Sequence, residues 1–129
     1  MDRPARIRAY FESCNSGDSA EVAAHFAPDA VIYDTNHKPV RSAAGIGEFW
    51  DGIRAQWQGA VWGVDSVVTD GETAAIEWHM RGTGPNGDFV FRGSEHYAFE
   101  SDLIAEIRQY WTFDTTRPDT GLRDYPYRD

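Results

Sequence analysis

The feature that most constrains the fold is a change of period near Gly59. Before it, apolar residues recur at helical spacing; after it they alternate, in four runs at 60–69, 72–82, 88–100 and 103–114. A period of 3.6 lines one face of a helix, and a period of 2 lines one face of a strand. Asp70-Gly71 and Pro85-Asn86-Gly87 separate the first three runs, and each is a turn former. Connections this short leave no room for crossover helices, so the four runs should pair as an antiparallel meander.

The first half reads helix, helix, strand, helix. Pro4 suits a first helical turn, and Ile7, Tyr10, Phe11 and Cys14 share a face over residues 4–15. Asn15-Ser16-Gly17-Asp18 is a break. Asp18, with Glu21 three residues on, starts a second helix with Val22, Ala23 and Phe26 as its stripe, and Pro28-Asp29 ends it. Residues 30–34 (AVIYD) form a short strand, 35–39 a polar loop holding His37, and 38–42 a short edge strand. Ser42 caps a third helix, reaching about Gln58, with Ile46, Phe49, Trp50, Ile53 and Trp57 in period. The class is α+β: a cone-shaped roll, with a curved antiparallel sheet wrapped around three N-terminal helices and a pocket at the wide end. The domain spans 1–114. Residues 115–129 carry two prolines and form an irregular tail that Leu122, Tyr125 and Tyr127 could anchor over the pocket or a partner.

Composition narrows the function classes. A chain of 129 residues is one domain. Its formal charge of −9 argues against nucleic acid and against acidic membrane surfaces. The single cysteine, Cys14, excludes an intramolecular disulfide and a cysteine-based zinc cage. MDRPARIRAY lacks the apolar run of a secretory leader, and no stretch approaches the ~20 apolar residues of a membrane span. The expectation is a soluble cytoplasmic domain. No P-loop, nucleophile elbow or dinucleotide fingerprint is present, so no cofactor is expected. Glu77 and His79 share a strand face but have no third ligand at diagnostic spacing, so no metal is expected either.

The element order, together with AYFESCNSGDSAEVAAHFAPDAVIYD and the closing EIRQYW, resembles the nuclear transport factor 2-like (cystatin-like) superfamily over about residues 5–114. The likeness is to its ketosteroid isomerase and SnoaL-like polyketide cyclase branch. That fold hosts many activities and non-catalytic binders, so the resemblance speaks to architecture before reaction. From Tyr10 to Asp34 the spacing matches ketosteroid isomerase without a gap. The resemblance places Tyr10 at the oxyanion-hole tyrosine, Asp34 at the general base, and Glu95 at the protonated acid that donates a second hydrogen bond. Here that acid is one methylene longer. A base near a C–H and two donors at the resulting enolate oxygen suffice for proton abstraction beside a carbonyl. Several cyclases of this fold carry an acid just after the final aromatic pair, where this chain has Thr112.

Each residue also has a plainer reading: Tyr10 as core, Asp34 as a turn former, Glu95 as a solvated strand residue. Strand 72–82 leaves two readings open. In one, Trp78 and Met80 pack in the core and Glu77, His79 and Arg81 face water. In the other, which the isomerase alignment favours, His79 joins the acid/base set, Glu77 and Arg81 bind substrate, and Trp78 and Met80 face a second copy. Gln109, Trp111, Phe49, Trp57 and His37 complete the expected lining. A one-residue slip would exchange Glu95 and His96. The chain is thus expected to be a cofactor-independent lyase, isomerase or cyclase acting on a small carbonyl-bearing molecule, and to form a homodimer through the outer sheet face. The alternative is a non-catalytic small-molecule-binding or dimeric assembly domain.

Overall fold

The computed structural model describes residues 1–128; the last residue of the expected tail lies outside them. Helix α1 (Arg3–Ser16) begins where the Asp2 carboxylate accepts the Ala5 N–H at 2.8 Å, with Pro4 in the first turn. Helix α2 (Ser19–Ala23) is capped by Asp18, which accepts the Glu21 N–H. Strands β1 (Phe26–Asp34) and β2 (Val40–Arg41) follow, then helix α3 (Ala43–Gln56), capped by Ser42. Strands β3 (Val61–Thr69), β4 (Ala74–Gly84), β5 (Gly87–Glu100) and β6 (Leu103–Trp111) complete the order.

The six strands form one curved, unclosed sheet in the order β2-β1-β6-β5-β4-β3. β3 to β6 pair antiparallel as the short turns require. β1 pairs parallel with β6, so the sheet is mixed instead of wholly antiparallel. The whole meander separates these two strands in sequence, and no hairpin dictates their direction.

The second helix is shorter than its sequence implies. It stops at Ala23, and Phe26 belongs to β1, opposite Ile104. Pro28 lies within the strand, where the register shifts between Phe26 and Val31; a proline without an N–H is tolerated at such an irregularity.

The pocket reading of β4 is overturned. Ala74, Ile76, Trp78 and Met80 are buried under the helices, which puts Glu77, His79 and Arg81 on the outer face. The register agrees, with Trp62 opposite Met80 and Val64 opposite Trp78. Burying side chains of this size contributes roughly 2–3 kcal/mol each, whereas bringing a glutamate, a histidine and an arginine inside would require desolvating three polar heads.

The core joins Ile7, Tyr10, Phe11 and Cys14 of α1 to Ile46 of α3 and the inner sheet face. Two devices fix the helices there. Asn15 exchanges two hydrogen bonds with the Trp62 backbone, at 2.8 and 2.7 Å, tying the end of α1 to β3. Gly47 lets α3 approach α2, since a Cβ there would lie 2.3 Å from the Ser19 carbonyl oxygen.

Beyond β6 the chain crosses the wide end and then pairs beside β5: Val90 N–H donates to Pro118 O at 2.7 Å and Thr120 N–H to Val90 O at 3.0 Å. It continues onto the outer face. There the Arg92 guanidinium donates to both Asp119 oxygens at 3.0 Å and lies 3.6 Å from the centre of the Tyr127 ring.

Candidate functional site

Asp34 closes β1, opposite Gln109 of β6, and its side chain is 1% exposed. Both oxygens are engaged. Oδ1 accepts the Asn36 N–H at 2.7 Å, which turns the chain sharply after the strand; Oδ2 accepts the Trp111 indole N–H at 2.9 Å. Thr35 Oγ1 donates to Trp111 O at 2.8 Å, so the loop after Asp34 is fastened to the end of β6. His37 folds back over the carboxylate, with Nε2 3.4 Å from Oδ2 and Nδ1 2.9 Å from Lys38 O. Its ring packs 5.0 Å from that of Phe49 on α3.

Glu95 lies on the inner face of β5, between Ile76 and Gln109 in register. It is buried, and the Tyr97 hydroxyl donates to its Oε1 in a short hydrogen bond. Burial pushes the Glu95 carboxyl up to about 7; the Tyr97 bond works against this rise, and the nearby Asp34 charge adds to it. Tyr97 and Tyr10 are themselves pushed up, chiefly by burial. Tyr10 is held by a neighbour of its own. Its oxygen accepts the Trp50 indole N–H at 3.0 Å. The phenol directly on Glu95 is therefore Tyr97 and not Tyr10.

The surroundings are aromatic. Trp111 lies 5.8 Å from Trp78, Phe91 and Phe113, ring centre to ring centre. Trp57 packs at the wide end against Phe89, Phe91 and Phe113, beside a cleft of about 360 Å³ bounded by Gly84–Phe89 and Thr115–Pro118. The Trp78 indole N–H is buried and reaches no protein acceptor.

The structure thus gathers Tyr10, Asp34, Glu95, Gln109, Trp111, His37 and Phe49 on the helix side of the sheet, with Trp57 at its wide end. It does not bring in His79, Glu77 or Arg81. His79 Nδ1 lies 2.7 Å from Asp65 Oδ1 on the outer face, where the missing side chain of Gly63 makes room for the ring. Asp65 occupies a bulge between Val64 and Ser66, and Glu77 accepts from Ser66 Oγ. His96 is exposed against Tyr110 on that same face. The residue that sequence reasoning passed over is Tyr97. Its spacing of two from Glu95 on one strand was the available signal. Trp50, which holds the Tyr10 oxygen, has no signal beyond its helical period. Among the described residues, no three His, Cys, Asp or Glu side chains gather as a metal site.

An unclosed α+β roll with a buried acid pair between helices and sheet defines a protein of the cystatin-like, nuclear transport factor 2-like class. Residues 7–107 match the SnoaL-like domain family, and the chain belongs to it. It is similar to a protein of unknown function with a cystatin-like fold from Methylobium petroleophilum PM1, at 31% identity and TM-score 0.74 over 98% of this chain and 84% of that one. A hypothetical protein from Catenulispora acidiphila DSM 44928 with a ketosteroid isomerase-like fold, solved in complex with trimethylamine, matches at 14% identity and TM-score 0.78, over 85% of this chain and 87% of that one. The epoxide hydrolase/cyclase-like enzyme SalBIII, from pyran ring formation in the polyether salinomycin, matches at 17% and 0.72 over 86% and 91%. These last two likenesses are of fold. No curated protein matches the chain.

Proposed function

We propose that the chain is a cofactor-independent acid/base enzyme that abstracts a proton beside the carbonyl of a small metabolite, as a lyase, isomerase or cyclase. The observation that carries this reading is the pair of buried carboxyls on the helix side of the sheet, each with its own hydrogen-bond partners. Asp34 accepts two N–H groups, which suits a carboxylate, while burial pushes Glu95 up to about 7. A carboxyl that accepts two N–H groups beside one that burial raises offers a base and an acid in one site. Asp34 takes the proton. Glu95, with Oε1 occupied by Tyr97, keeps Oε2 for a proton that it can donate to the enolate oxygen. The unspent Trp78 N–H is a further donor. Gln109, Trp111 and Phe49 would contact the substrate, and Trp57 and Phe113 would have to part to admit it.

The test needs no knowledge of the natural substrate. Aryl and alicyclic ketones are incubated with the protein in deuterated water, and exchange at the α-carbon is read by NMR. Exchange is expected with wild type and at least about 100-fold less with Asp34→Asn. Equal exchange by both refutes the base, and no exchange at all favours a binding domain of the same fold.

A homodimer through the outer sheet face also belongs to this proposal. Tyr33, Val61, Val68 and Tyr110 are exposed there. Light scattering that gives a 14.5 kDa particle would remove it. No helix among the described residues is long and apolar enough to cross a membrane; a cytoplasmic location is part of the proposal.

A further inference from the structure

The His37 ring is held so that, when neutral, its bare nitrogen faces the Asp34 carboxylate. A backbone carbonyl only accepts, so the 2.9 Å contact of Nδ1 with Lys38 O puts a proton on Nδ1. In a neutral ring, Nε2 then carries a lone pair. That lone pair faces Asp34 Oδ2 at 3.4 Å, an oxygen that already accepts the Trp111 indole N–H and belongs to a carboxylate that only accepts. Two acceptors held against each other are a vacancy for one proton. The ring is not free to turn away: Phe49 packs against it and Lys38 O holds its other nitrogen.

We propose that His37 is the proton partner of Asp34, taking from it the proton that Asp34 removes from the substrate. The inference rests on the reading of Asp34 as the base and adds a second station to it. The substrate C–H bond breaks, its electron pair moves to the carbonyl oxygen as an enolate, and an O–H bond forms at Asp34 Oδ2. That O–H bond then breaks as the proton passes to the lone pair on His37 Nε2. Asp34 is left as a carboxylate beside an imidazolium, held in place by Trp111 and Asn36. Asp34 is 1% exposed and His37 33% exposed, so the histidine is the member of the pair that meets solvent. A proton held there can return through Asp34 to another carbon of the substrate, or leave to water. The separation of 3.4 Å is longer than a hydrogen bond, as acid–base contacts commonly are before a site fills.

The arrangement can be read without any ketone. In the full-length protein labelled with nitrogen-15, long-range ring correlations report which nitrogen of a neutral histidine carries the proton. The expectation for His37 is a protonated Nδ1 and a bare Nε2; a protonated Nε2 overturns the proposal. In Asp34→Asn the facing group becomes an amide able to donate, and the Nε2 resonance is expected to move; an unmoved Nε2 overturns the pairing. In the ketone exchange assay, His37→Gln is expected to lower kcat about tenfold with KM within about twofold. A change in KM alone would make His37 a substrate contact and refute the relay. The ring measurements stand whether or not Asp34 proves to be a base, so the two readings can fail separately.

Discussion

Glu95→Gln isolates the buried acid and measures what its ionisation does to the fold. In the folded chain burial raises this carboxyl from 4.5 to about 7. The folded state therefore holds the proton more tightly than the unfolded chain does. The resulting stability is fully present below about pH 4.5 and is lost as pH rises through about 7. The interval corresponds to about 3 kcal/mol, an order-of-magnitude figure, lost across that window. Glutamine keeps the shape and an oxygen to accept the Tyr97 hydroxyl, but it cannot ionise. Urea unfolding followed by circular dichroism at pH 4.5, 6, 7 and 8 should show the variant gaining on wild type by about 3 kcal/mol from the lowest to the highest pH. Taking the difference matters, because His25 titrates in the same window with the opposite sign. Burial, with Arg6 adding, lowers its pKa, so its contribution grows as pH rises; it cancels between the two proteins. Curves that stay parallel to within about 0.5 kcal/mol would show that Glu95 does not hold a proton in the folded chain. The acid half of the proposed mechanism would then fail.

Three further outcomes follow from particular contacts. Gly63→Ala places a methyl carbon 2.5 Å from His79 Cε1 and should displace the ring from Asp65. A loss of about 1–2 kcal/mol is expected, largely relieved in the double variant with His79→Ala; a cycle without coupling would refute the packing. Asp119→Ala leaves the Arg92 guanidinium, 7% exposed, without its two-pronged partner. The variant should be about 2 kcal/mol less stable in urea and cleaved faster by trypsin within residues 115–128, and unchanged cleavage would show that the tail is not held this way. Gly47→Ala drives a methyl group into the Ser19 carbonyl at 2.3 Å, where backbone, not a flexible side chain, must give. Thermal unfolding should reveal a loss of about 3 kcal/mol, and a stable variant would refute the close approach of α2 and α3.

Much of the architecture was legible because local rules decide it. Asp18 and Ser42 precede helices and accept the first-turn N–H groups there. Asp70-Gly71 and the turn at Asn86-Gly87 carry positive φ at both glycines, which fixes the hairpins between β3, β4 and β5. The end of α2 was misread because Phe26 fits a helical stripe as well as a strand, and its pairing with Ile104 prevails across most of the chain. The β4 error has a related origin. An alternating strand tells which residues share a face, but both faces of AAIEWHMR hold large side chains, and alternation does not say which face the helices cover.

The sequence by itself determined the element order and the antiparallel meander, since both rest on periodicity, caps and turns within a few residues of one another. Its resemblance to a known family supplied the SnoaL-like class and put Tyr10, Asp34 and Glu95 forward as a set. Only the tertiary structure decided that Trp78 and Met80 face the helices, that His79 answers to Asp65 on the far side, and that Glu95 meets the hydroxyl of Tyr97. It alone showed that the tail pairs beside β5 and that His37 turns back onto Asp34. The physical reason is the same throughout. Which face is buried, and which polar group a buried acid finds, depend on the desolvation of whole side chains against partners distant in sequence, and no local pattern carries that sum.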